Sequence, residues 1–145
     1  MNFPAMLSKW LRGHKEAIDM VLMVHDIVEL WDDLIDKDKV PTSDDINRVF
    51  RTVLIELPRN GFYQDNFAQL NTLIESAIFD WHTANAFEAK KEHLETAFGL
   101  RCTIQSVTVI AARIIGGNEW AQKVSNEIRS AGETWAEYAY GFGEK

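Results

Sequence analysis

Cysteine is almost missing from this sequence: Cys102 stands alone among 145 residues. A single thiol excludes an internal disulfide, and its apolar neighbours suit a buried side chain with no chemical role. Proline is scarce as well, with only Pro4, Pro41 and Pro58 to punctuate the chain. Basic residues are outnumbered, 15 Lys and Arg against 22 Asp and Glu, for a net charge of −7. So acidic a surface repels phosphate backbones, which excludes non-specific binding to nucleic acid. Long apolar runs are lacking too. The longest, Val107–Ile115, is interrupted by Thr108 and Arg113 and is too short to cross a bilayer, so no membrane partner is expected. The opening Met1-Asn2-Phe3-Pro4 starts no basic-then-apolar leader, and the expected compartment is the cytoplasm. There is no repeat and no low-complexity tract.

What the chain does have is apolar bulk at helical spacing. Hydrophobic residues make up 46% of it, including five Trp and eight Phe, a globular composition. Pro4 opens a short helix ending near Gly13. From His14 to about Asp36 a second helix places Val21, Val24, Val28, Trp31 and Ile35 on one face. Thr42 and Ser43 offer N-caps, and Asp44 and Asp45 suit the positive end of the next helix. That helix carries Ile46, Val49, Phe50, Val53, Leu54 and Leu57 and stops at Pro58. After the turn Pro58-Arg59-Asn60-Gly61, helices are expected over about Phe67–Ala89, Glu92–Ile115 and Asn118–Tyr140. The pair Gly116-Gly117 is a natural stop between the last two. No segment alternates with period two. The expected fold is therefore an all-α, antiparallel bundle of about five helices, forming a single helical domain over residues 1–145. The Glu92–Ile115 helix, apolar nearly all round, is expected at its centre, burying Ile104, Val107, Ile110, Ala111 and Ile114.

The second helix carries the main chemical signal. His25, Asp26, Glu29, Asp32, Asp33 and Asp36 fall within one third of its circumference. A solvated face is the ordinary meaning of charge on one side of a helix. The sharper meaning is a Mg²⁺ site at Asp32, Asp33 and Asp36, because carboxylates one turn apart project from the same side. Acids in a last helical turn oppose the macrodipole, so stability alone does not favour them there.

Trp31-Asp32-Asp33-Leu34-Ile35-Asp36 resembles the aspartate-rich DDxxD motif of the isoprenoid synthases, and most of all their squalene and phytoene synthase branch. The order His93-Leu94 to Cys102, Val109-Ile110-Ala111-Ala112 and Ile115-Gly116-Gly117 is similar to that family's helix leading to a Val-Ala-Gly segment. Asn126 to Thr134 resembles its second aspartate-rich motif, with Ser130 and Thr134 where aspartates stand in the family and Arg129 and Glu133 as the matching polar residues. The resemblance implies a trimmed isoprenoid-synthase fold and a Mg²⁺-dependent diphosphate site. The strings Leu57-Pro58-Arg59-Asn60 with Phe62-Tyr63, Asp80-Trp81-His82 and Gly116 to Ala121 also resemble small proteins of tailed phages, which imply no activity.

Other patterns carry less. His25-Asp26 is the adjacent pair of HD phosphohydrolases without its further ligands, and Glu29 and Asp32 give an E-x-x-D spacing without its companion element. Arg101 shares a face with Gln105 and, with Arg129, is the candidate diphosphate ligand; a core carboxylate is the alternative partner for Arg101. Trp120, Trp135, Tyr138, Tyr140 and Phe142 crowd the C-terminal region, where they pack on the bundle or anchor a partner. The functional expectation is an acidic accessory protein that binds a protein partner or itself, as a homodimer, without a cofactor. The alternative is a Mg²⁺-dependent protein or enzyme acting on a diphosphate.

Overall fold

The computed structural model describes residues 2–37 and 39–142, so Asp38 lies outside it. The protein is all-helical, and no strand occurs among the described residues. The chain divides into two compact units that meet in sequence between Phe67 and Ala68.

The first unit contains α1 (Phe3–Trp10), α2 (Lys15–Asp36), α3 (Ser43–Arg51), a π-helical turn (Thr52–Glu56), α4 (Leu57–Arg59) and α5 (Gly61–Asp65). Local chemistry sets the helix starts. Asn2 caps α1, with Pro4 in its first turn, and His14 Nδ1 accepts the Ala17 N–H at 3.2 Å to cap α2. Thr42 and Asp45 form a reciprocal capping box on α3, so the expected Thr42 cap is the one used. Asn60 caps α5 by accepting the Tyr63 N–H at 2.9 Å and donates its amide to the Glu16 carbonyl. The Glu16 carboxylate accepts the Gly61 N–H at 2.7 Å, which pins α5 to the start of α2. Packed around α2 are α1, α3 and α5, and Leu7, Leu11, Met20 and Val21 are fully buried.

Two expected apolar faces part from the core in this unit. Along α2, Val21 and Val24 are buried, but Trp31 is 37% and Ile35 53% exposed. At 22 residues this helix is about 33 Å long, and its buried residues end at Leu30. Along α3 only Val49 of the expected set is buried, and beyond it Leu57; Phe50, Val53 and Leu54 face outward while Thr52 turns inward. Phe50 stands about 100° from Val49 on the regular part of α3, and a π-helical turn follows. It inserts an extra residue per turn and so rotates the face that a regular 3.6-residue period would bury. Thr52 Oγ1 donates to the Arg48 carbonyl at 3.0 Å, a local bond of the kind that bends helices.

The second unit contains nearly all of α6 (Phe67–Lys90), then α7 (Leu94–Leu100), α8 (Thr103–Gly116), α9 (Asn118–Ala131) and α10 (Trp135–Tyr140). Two breaks interrupt helices expected to be continuous, at Arg101–Cys102 and at Gly132–Thr134. Extensive packing joins α8 to α9, with Val107, Ala111, Ala112, Ala121 and Val124 buried. The tight turn between them needs both glycines. Gly117 sits at φ +89°, and a Cβ on Gly116 would lie 2.5 Å from the Trp120 ring. Ile104, Ile110 and Ile114 are half-buried rather than buried, because α8 is apolar on more sides than α9 covers. Within the 23 residues Leu94–Gly116 an 18-residue window reaches a mean hydropathy of 1.3, enough by length and composition for a bilayer span, and 22% of that window is buried. The stretch is split into two helices at Arg101. A separate cluster joins Ala84 of α6, Ala97 of α7 and Tyr138 of α10, flanked by Phe87, Leu94, Phe98, Leu100 and Phe142.

Candidate functional site

The acidic face of α2 is held by salt bridges at its middle. Arg48 reaches from α3 to Asp26 at 2.9 and 3.1 Å and to Asp45 at 2.7 Å. Hydrogen bonds to Asp26 and Asp45 raise the Arg48 guanidinium above its usual value, and the Arg48 bond in turn lowers the Asp45 carboxyl. His25 instead faces Glu29 at 3.4 Å and stacks against Phe3, with ring centres 5.2 Å apart. The adjacent residues His25 and Asp26 therefore serve different partners. Asp32 and Asp33 are half-buried, and Asp36 is exposed in the last turn, just before Lys37 caps the helix in the left-handed region at φ +61°. Among the described residues no three His, Cys, Asp or Glu side chains converge closely enough to hold a metal ion.

Arg101 and Arg129, far apart in sequence, come together. Both line a cavity of about 380 Å³ in the second unit, with Phe98, Cys102, Gln105, Ile128 and Glu133. Its walls come from the end of α7, the start of α8 and the end of α9, and the break at Arg101–Cys102 forms the corner. The two arginines stand differently. Arg129 is exposed. Arg101 donates from Nε to Glu88 at 2.6 Å and from Nη2 to Glu88 at 2.5 Å and to Asn85 at 2.5 Å. The Tyr138 hydroxyl donates to the same Glu88 carboxylate at 2.6 Å. Burial pushes the Glu88 carboxyl up, but the Arg101 and Tyr138 hydrogen bonds outweigh it and hold it below the usual range. The Tyr138 phenol is raised, first by burial and then by the bond to Glu88. Arg101 thus has the core carboxylate partner that was its alternative reading.

Glu88, Asn85 and Tyr138 were not legible as a site. Only the general rule that a half-buried Arg needs an anion signalled them, and many acids satisfied that rule equally. Of the C-terminal aromatics Tyr138 is buried, while Trp135 is 39% and Tyr140 71% exposed. Tyr138 stacks with Phe98 and Phe142 at 5.1 Å each, and Trp135 meets Phe98 at 5.8 Å.

A third feature is apolar. Outward on α3 and the π-helical turn stand Phe50, 58% exposed, Val53 and Leu54, 67% exposed. Beside them Val53, Leu57, Pro58, Tyr63, Gln64 and Phe67 line a groove of about 420 Å³. Phe67 is itself 52% exposed and meets Tyr63 edge-on at 5.5 Å. Compared with known protein families, with curated proteins and with solved structures, the chain matches none.

Proposed function

We propose that this chain is a cytoplasmic accessory protein that works by binding protein rather than by catalysis, and that the apolar face of its first unit is the binding surface. The observation that carries this reading is the outward-facing row Phe50, Val53 and Leu54 beside the groove that ends in Phe67. Large apolar side chains concentrated on one helix face, next to an apolar concavity, are what protein interfaces use as anchors. Removing one of them from water contributes about 1.5–3 kcal/mol, so a few suffice for a modest affinity. A photoreactive phenylalanine analogue at position 54 tests the reading in cells. Protein adducts are expected there and not with the same group at exposed Lys123. Equal labelling at the two positions would sink it.

The second reading is a Mg²⁺-dependent diphosphate-binding protein related to isoprenoid synthases. It draws on one observation, that Arg101 and Arg129 line the same cavity. On this reading Arg129 holds the anion and Arg101 positions it while tied to Glu88. Pyrophosphate with Mg²⁺ should then raise the melting temperature of wild type and not of Arg129→Ala. No shift at millimolar pyrophosphate would remove it.

A further inference from the structure

We propose that the cavity between the α7–α8 corner and the end of α9 binds a small zwitterion, an α-amino acid with an apolar side chain, its carboxylate on Arg129 and its ammonium on Glu133. The proposal is independent of the apolar face of the first unit, and it gives the cavity of the second reading a ligand of different charge.

Charge balance selects the ligand. Arg101 lines the cavity, but Glu88 neutralises it at 2.5 Å. The other charged residues on the lining are one cation, Arg129, and one acid, Glu133, and both are exposed. On a continuous helix, opposite charges four residues apart pair across one turn. Here α9 ends at Ala131 and the chain runs extended through Gly132, at φ −80° and ψ −171°. Among the described residues neither Arg129 nor Glu133 has an ion-pair or hydrogen-bond partner. Two opposite charges held over one concavity without meeting each other match a ligand that carries both signs. A diphosphate, by contrast, meets the uncompensated Glu133 carboxylate.

The rest of the wall agrees. Gln105 is half-buried there and has no hydrogen-bond partner among the described residues, so its amide is open both to donate and to accept. Phe98 and Ile128 supply apolar surface for a side chain. Gly99 makes the room. It lies inside α7 without a positive φ, and a Cβ there would meet nothing within 4 Å. Glycine inside a helix is less stable than alanine, so neither backbone conformation nor crowding calls for it, and what it leaves is open space on the cavity wall. At about 380 Å³ the cavity lies at the small end of ligand pockets, roughly 300–1,000 Å³. Because both charged groups are exposed, each ion pair contributes little by itself, and the expected dissociation constant is about 1 mM.

Amide NMR titration of the purified full chain with L-leucine, L-methionine and L-phenylalanine in turn, each up to about 20 mM, tests the proposal. Saturable shifts are expected at the Gly99 and Gly132 amides. The N-acetyl derivative of the tightest binder lacks the ammonium and its amide derivative lacks the carboxylate, so each should bind at least threefold more weakly. Arg129→Gln and Glu133→Gln should each weaken binding at least threefold and, as exposed substitutions, melt within about 2 °C of wild type. Gly99→Leu fills the open space and should abolish binding while keeping its helical circular dichroism. No saturable shift with any of the three amino acids, shifts confined to residues outside the cavity, equal binding of the N-acetyl derivative, or a Gly99→Leu that binds as wild type does would each overturn the proposal. A melting-temperature rise with Mg²⁺ and pyrophosphate that Arg129→Ala loses, without amino-acid binding, would overturn this proposal and leave the second reading standing. Amino-acid binding without any pyrophosphate effect would remove the second reading and support this one.

Discussion

Replacing Glu88 with glutamine keeps the shape of the side chain and removes its charge, at the point where α6, the α7–α8 corner and α10 meet. In the native protein Glu88 accepts two bonds from Arg101 and one from Tyr138, and the Glu88 and Arg101 side chains are only 17% and 23% exposed. Without the carboxylate, a largely buried guanidinium keeps Asn85 but loses its counter-ion. Breaking a fully buried pair costs about 3–5 kcal/mol. Water reaches this one in part, which reduces the cost to about 2 kcal/mol, or a fall in melting temperature of about 6 °C for a chain of this size. The pH dependence has a definite sign. Because the folded carboxyl lies below its ordinary value of 4.5, its contribution is fully present above that pH and is lost as pH falls through the folded value. The gap between wild type and Glu88→Gln should therefore be widest at neutral pH and shrink towards pH 3. Replacing both partners, Glu88→Gln with Arg101→Met, should recover part of the loss, since it leaves no uncompensated charge. Thermal melts by circular dichroism at pH 7, 5 and 3 read all three effects. A double variant less stable than the single one, or a gap that does not change with pH, would refute the electrostatic account of this junction.

Three further outcomes are expected. Lys37 holds the left-handed position that ends α2, at φ +61°, so Lys37→Gly should stabilise the protein by about 1 kcal/mol, seen as a higher denaturation midpoint at unchanged slope. Gly117→Ala introduces a side chain at φ +89° and should cost about 1–3 kcal/mol, lowering the melting temperature by several degrees. Asp36 lies exposed in the last turn of α2, where an acid opposes the helix dipole. Asp36→Asn should therefore be neutral or slightly stabilising, and Mg²⁺ should shift wild type and variant equally; a Mg²⁺-dependent rise confined to wild type would favour the diphosphate reading.

The sequence by itself determined what depends on neighbours within a turn or two of helix. All-helical structure followed from apolar spacing and from the lack of period-two alternation. The cap at Thr42 and the stop at Gly116-Gly117 followed from residues whose backbone preferences act locally, whereas the helix expected to stop at Pro58 runs on through Arg59 and breaks at Asn60 alone before α5. Arg101 and Arg129 were singled out by type, and their common cavity could be named only once α7, α8 and α9 were folded. Tertiary structure alone decided which apolar residues are inside. Val49 and Phe50 are adjacent in α3 and stand about 100° apart, and the packing of α3 on α2 takes Val49 in and leaves Phe50 out. Tertiary structure also chose Glu88, among many acids, as the partner of Arg101, since an ion pair between distant helices depends on how the chain folds back, which no local pattern encodes.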